Sequence, residues 1–207
     1  MNWTLYSALT SNGDIVATNT KINQIKLLEE IEKFDNAWKD YNPKTPQMKR
    51  KALAVTSLDG SLENKGSILS SEYSEHDFNK PTEVYKSSET LQKLLSPWIE
   101  YLGRTQILKL EEGGFFPSHI DEGWRLPPES FRLVVALADC NPPYMWWMHG
   151  DDKEYKSLTW QYGTLYFVNT LKKHALFNTG SKDSYFLIAN VRICEESITL
   201  LKKKIYT

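Results

Sequence analysis

Residues 104–138 read RTQILKLEEGGFFPSHIDEGWRLPPESFRLVVALA. Three short apolar or β-branched runs, 104–110, 115–120 and 131–138, are separated by glycine- and proline-bearing connections, the way strands alternate with turns. Runs of the same kind follow at 144–148, 157–160, 164–168, 174–178 and 184–193, again divided by Gly, Pro, Asn and Asp. Short strands at a spacing of about 8–12 residues predict an all-β double sheet, a sandwich or jelly roll. No helical period falls between them, which disfavours a parallel α/β architecture.

The first 103 residues are of another character. Ile22, Ile25, Leu28, Ile31, Phe34 and Trp38 recur at spacings of three and four, so an amphipathic helix is predicted within residues 20–40. Asn42-Pro43 and Thr45-Pro46 stop it. Lys51–Leu58 reads as a strand ending at the turn dipeptide Asp59-Gly60, and residues 59–86 as loops with one short strand at Glu83–Tyr85. Leu91, Leu94, Leu95, Trp98 and Ile99 give a second apolar face over Ser88–Tyr101 despite Pro97. The expectation is one α+β, mainly β domain over residues 1–207: a helical and loop part at 1–103, a jelly-roll core at 104–193 and a C-terminal extension at 194–207.

Composition narrows the function classes. The 25 basic and 26 acidic residues leave a net charge of -1, so no bulk field favours nucleic acid or an anionic membrane. The basic groups Lys49-Arg50-Lys51 and Lys202-Lys203-Lys204 read as solvated ends. The longest apolar run, Leu133–Ala138, is far short of the roughly 20 residues that cross a bilayer. Met1–Thr10 lacks the basic start and apolar stretch of a secretory signal, so an intracellular, cytoplasmic location is expected. Cys140 and Cys194 form no CxxC pair and read as small buried residues.

The chain has four histidines, His76, His119, His149 and His174. His119 and Asp121 lie two apart, which on a strand puts both on one face. With His174 they make two imidazoles and a carboxylate, a donor set that leaves adjacent positions of a metal open and suits non-haem Fe(II) better than a thiolate site would. His149-Gly150-Asp151 repeats the H-x-D pattern but sits in a polar turn and reads as solvated loop, as does His76. Trp124 and Arg125 follow the first H-x-D and read equally as a lid or as packing over the barrel; of Trp146 and Trp147 at most one faces a barrel interior.

Taken together, EEGGFFPSHID, FRLVVAL, YGTLYFVNTLKKHALFNTG and SYFLIANV, in that order, resemble the Fe(II)/2-oxoglutarate-dependent oxygenases, nearest the aspartyl/asparaginyl β-hydroxylase type and phage or bacterial prolyl-hydroxylase-like members. The resemblance spans residues 104–193 and includes the glycine turn before H-x-D and Asn178 four residues after His174. It implies a double-stranded β-helix with a cupin-like jelly-roll form, His119, Asp121 and His174 as iron ligands, and 2-oxoglutarate and O2 as cosubstrates. The implied reaction hydroxylates a C–H bond, in an amino-acid residue of a peptide or protein (Asp, Asn or Pro) or in a small amino-acid-like metabolite, with release of succinate and CO2. A buried dianionic cosubstrate needs a cation. The match supplies Arg132, whereas Ser184 stands where such oxygenases usually carry an arginine; Lys182 and Arg192 are the other candidates. That departure leaves open a cupin-like metal protein that uses no 2-oxoglutarate. A jelly-roll binding module without catalysis is the remaining alternative.

Overall fold

Strand alternation disappears from a sequence wherever a sheet is covered on both sides, because neither set of side chains then has to be polar. The runs FRLVVALA and SYFLIANV are of this kind. In the computed structural model, which describes residues 2–63, 73–121, 128–142, 144–149 and 155–206, both are central strands. The elements in chain order are α1 (Asn2–Thr10), β1 (Ile15–Lys21), α2 (Gln24–Glu32), β2 (Lys39–Asp40), β3 (Arg50–Ala54), β4 (Thr56–Ser57), β5 (Lys80–Pro81), α3 (Glu83–Ser87), α4 (Glu89–Leu95), β6 (Leu102–Leu110), β7 (Phe115–His119), β8 (Ser130–Ala138), β9 (Tyr144–His149), β10 (Tyr155–Ser157), β11 (Thr164–Val168), β12 (His174–Asn178), β13 (Ser184–Arg192) and α5 (Glu195–Tyr206).

A seven-stranded sheet runs β1-β11-β8-β13-β6-β3-β2, and a four-stranded sheet runs β10-β9-β12-β7, every pairing antiparallel. The two sheets form the jelly roll expected from the strand spacing, and β4 and β5 make a separate two-stranded ladder. Between the sheets lies an inner core of Leu108, Leu110, Phe116, Val134, Ala136, Leu176, Phe186 and Ile188. The other face of the large sheet presents Phe131, Leu133, Val135, Phe167, Leu187 and Val191 to Leu9, Leu27, Leu91, Trp98 and Leu201 from the helical elements. Each large side chain withdrawn from water there contributes about 1.5–3 kcal/mol.

Several elements differ from their sequence reading for identifiable reasons. The helix expected within 20–40 is confined to Gln24–Glu32, because the Asn23 side chain accepts from the Lys26 N–H and caps its start. Residues before the cap belong to β1, whose Val- and Thr-containing sequence pairs with β11 at the sheet edge. Ile25, expected on the apolar face, is 61% exposed. Glu83–Tyr85 is helical rather than a strand, as the start of α3. The second helix is α4, capped by the Ser88 hydroxyl; it gives way to a 3-10 turn at Ser96–Trp98, where Pro97 offers no N–H. The run 157–160 is displaced, its strand being Tyr155–Ser157. The C-terminal extension is helical and buries Ile198 and Leu201. The first 103 residues also supply β1, β2 and β3 to the large sheet.

Arg50, expected to be solvated with Lys49 and Lys51, is only 9% exposed. The strand begins at Arg50, not Lys51, and strand alternation turns Arg50 inward with Ala52 while its two lysine neighbours point away. Trp124, Arg125 and Gly150–Asp152 lie outside the described residues, as do the side chains of Trp146, Trp147 and His149. No helix among the described residues is long and apolar enough to cross a membrane.

Candidate metal centre

Pairing of β7 with β12 builds the site. His119, the last residue of β7, lies directly opposite His174, the first of β12, and their ring centroids are 4.3 Å apart. The register depends on the turn before β7. Gly113 has φ +73°, and a Cβ on Gly114 would stand 2.6 Å from the Lys49 carbonyl oxygen. Gly113 N–H donates to Asn178 O, and Asn178 N–H to Gly114 O, tying the start of β7 to the end of β12. The Asn178 amide also donates to Leu110 O and Lys182 O, so this residue of the quoted pattern is a structural clamp.

Asp121 follows two residues after His119, its N–H held by Thr170 O at 3.0 Å. Its Oδ1 is 3.2 Å from His119 Nε2 and 4.0 Å from His174 Nε2. One ligand atom from each of the three residues falls within 4.8 Å of the others, the one such grouping among the described residues. The tautomers are fixed by the backbone. His119 Nδ1 lies 2.7 Å from Pro117 O and His174 Nδ1 2.9 Å from Lys172 O. A carbonyl only accepts, so each Nδ1 carries a proton and Nε2 is the nitrogen each ring can offer an ion.

The carboxylate is oriented from the opposite sheet. Arg132 Nε on β8 lies 2.5 Å from Asp121 Oδ2, and its Nη1 donates to Asn190 Oδ1 at 2.5 Å. Asn190 sits opposite Arg132 in the ladder and donates in turn to Glu75 Oε2. Charge and dipole alternate along this chain, so each member stabilises its neighbours. Burial alone would raise the Asp121 carboxyl; Arg132 and the two histidines outweigh it and hold the group well below the usual carboxylate range. Burial lowers His174 despite Asp121, which keeps it a neutral donor. For His119 burial acts downward as well, but Asp121 and the Pro117 carbonyl overcome it and raise the ring.

Of the residues expected in the site, His119, Asp121, His174 and Arg132 are brought together. Ser184 and Lys182 are not. Ser184 is fully buried and donates its hydroxyl to Asp139 O, while Lys182 is exposed in the connection at the far end of β12 from His174. Arg192 is exposed and donates to Glu100 O. His76 is half-buried rather than solvated, its Nε2 at 3.2 Å from Glu129 O. Cys140 is buried as expected, and burial pushes its thiol up to about 12.

The sequence reading missed Asn190 and Glu75. Asn190 had a signal, a polar residue inside the run SYFLIANV, whereas Glu75 lies in an ordinary polar loop. Beside the triad opens a cavity walled by Tyr41, Gln106, Leu108, Phe116, Leu176 and Ile188. Three N/O donors at one end of this cavity, beside the apolar side chains of Leu108, Phe116, Leu176 and Ile188, can hold one divalent ion.

No protein-family model matches the sequence, and no curated protein does. Solved structures do. A Pseudomonas putida prolyl-4-hydroxylase matches with a TM-score of 0.55 at 9% identity, over 94% of this chain and 100% of that one. HygX from Streptomyces hygroscopicus, solved with nickel, 2-oxoglutarate and hygromycin B bound, matches at 0.55 and 9%, over 91% and 86%. An oxidoreductase of the 2OG-Fe(II) oxygenase family from Burkholderia pseudomallei matches at 0.51 and 13%, over 79% and 78%. The chain therefore has the jelly-roll fold found in these 2OG-Fe(II) oxygenase structures, with a two-histidine, one-carboxylate cluster between its sheets.

Proposed function

We propose that the protein is an Fe(II)- and 2-oxoglutarate-dependent dioxygenase. The observation that carries this is the cluster of His119 Nε2, His174 Nε2 and Asp121 Oδ1, with both ring tautomers fixed and Asp121 Oδ2 already engaged by Arg132. The donor set fits a divalent iron, and the fold shared with solved oxygenases supports the same reading. When bound, iron with 2-oxoglutarate and O2 would supply the oxidation, one oxygen atom entering a substrate C–H bond and the other succinate as CO2 leaves.

The chain's own residues then have distinct tasks. His119 and His174 would each hold the ion through Nε2, and their Nδ1–H bonds to Pro117 O and Lys172 O stop the rings from turning. Arg132 occupies one oxygen of Asp121, so the other would be the one offered to the ion. Leu108, Leu176 and Ile188 give the cavity beside the cluster an apolar wall. The substrate is read as an amino-acid residue in a peptide or protein, as the resemblance implies, with a small amino-acid-like metabolite as the second choice.

Oxygen-dependent conversion of 2-oxoglutarate to succinate by the iron-loaded protein is the test. His119→Ala and Asp121→Ala must abolish it. A second reading, a cupin-like metal protein without the keto acid, draws on Ser184, whose hydroxyl is spent on Asp139 O. That protein would bind metal and form no succinate, whereas a non-catalytic binding module would bind no metal.

A further inference from the structure

If a dianionic keto acid chelates the ion through one end, its far carboxylate enters the barrel and needs a cation. Each candidate taken from the sequence is accounted for elsewhere: Arg132 by Asp121 and Asn190, Ser184 by Asp139 O, Lys182 by exposure, Arg192 by exposure and Glu100 O. The inner face nevertheless holds a buried guanidinium that the oxygenase resemblance does not cover, Arg50. In the ladder Arg50 faces Leu110, and Leu110 faces Ser184 on its other side, so Arg50 and Ser184 occupy one cross-strand row at two strands' distance. Ser184 is the position where the resemblance implies an arginine, and Arg50 stands in the same row on β3.

The surroundings of Arg50 are built for a guanidinium yet incomplete. Its Cζ lies 4.3 Å from the Phe116 ring centre and 5.1 Å from that of Tyr41, and both rings also wall the metal cavity. One Nη donates to Thr45 Oγ1 at 3.0 Å, while Nε is buried with no hydrogen-bond partner. Among the described residues Arg50 makes no ion pair, although it is only 9% exposed. Burial without a counter-ion is costly for a charge that arginine cannot shed, so a missing anionic partner is the economical explanation. Arg104, whose Cζ is also 5.1 Å from the Tyr41 ring centre, is half-buried and lines the adjoining cleft instead.

We infer that Arg50, framed by Tyr41 and Phe116, binds the distal carboxylate of the keto-acid cosubstrate in place of the residue at Ser184. The inference rests on the oxygenase reading above and adds the residue that selects a dicarboxylic keto acid.

The test is an anaerobic titration of the Fe(II)-loaded protein with 2-oxoglutarate and, separately, with 2-oxopentanoate, which has the same chain length without the distal carboxylate. Binding is followed by the weak visible absorption of the iron–keto-acid chelate. The wild type should favour 2-oxoglutarate; Arg50→Gln should weaken that affinity about a hundredfold, the scale of losing one partner of a buried charge pair. Affinity for 2-oxopentanoate and for Fe(II) should stay unchanged, Arg50→Lys should recover part of the loss, and Arg104→Gln should have little effect. Equal binding of 2-oxoglutarate by Arg50→Gln, an equal loss for both keto acids, or a loss confined to Arg104→Gln would overturn the inference and leave the oxygenase reading standing. A wild-type iron protein that binds neither keto acid would overturn both.

Discussion

The two faces of the seven-stranded sheet come from the same strands and differ in composition. The outer face, with Phe131, Leu133, Val135, Leu187, Ala189 and Val191, is apolar across its centre and is closed by helices, with Lys51 and Lys109 at one end. Along the inner face Val134, Leu108 and Ile188 share the strands with Arg132, Gln106, Asn190 and Arg50. Arg132, Gln106 and Asn190 face one another or the metal cavity, whereas Arg50 lies between the Tyr41 and Phe116 rings. The outer face supplies the stability that lets the inner face carry charge between two sheets, where unpaired groups are expensive.

That division can be broken by mutation. The largest effect is expected at the cluster: His174→Ala should cost more in Fe(II) affinity than the roughly 10–100-fold typical of losing a supporting hydrogen bond. It should also remove the rise in melting temperature that added metal gives the wild type. Next is the outer face. Phe131→Ala, from a side chain 1% exposed, should destabilise the fold by about 3–5 kcal/mol in urea unfolding, with Fe(II) affinity unchanged in the folded fraction. A shift in metal affinity there would contradict the independence of the two faces.

An intermediate case sharpens the comparison. Asn190→Leu keeps the volume but withdraws Arg132's and Glu75's shared partner, and it should weaken Fe(II) binding by about tenfold. The smallest effect concerns reactivity. Cys140 is sealed in the inner core with its thiol pushed up to about 12, so at pH 8 a thiol reagent should label Cys194 and spare Cys140 until the protein is denatured. Rapid labelling of both would mean that the inner face opens far more readily than the outer one.

Most strands from residue 102 onward were legible because each is a short apolar, aromatic or β-branched run bounded by turn residues. The H-x-D pair and the distal histidine were legible through residue type and spacing. What escaped was set by pairing across the chain. The edge strand β1 has a weak pattern, and only its ladder with β11 makes it a strand. Arg50 was lost by one residue of strand boundary, which left it between two solvated lysines although alternation places it inside. Glu75 reaches the site only because its 3-10 turn packs on β6, where a Cβ at Gly103 would meet the Glu75 carbonyl oxygen at 2.7 Å. Such contacts join residues far apart in sequence, and composition and period carry no trace of them.

The most direct test of the central claim is anaerobic titration of the metal-free protein with Fe(II) under saturating 2-oxoglutarate. One chelate per chain should form in the wild type and none in His119→Ala, Asp121→Ala or His174→Ala. Absence of the chelate in the wild type, or its persistence when all three ligands are replaced together, would contradict the account.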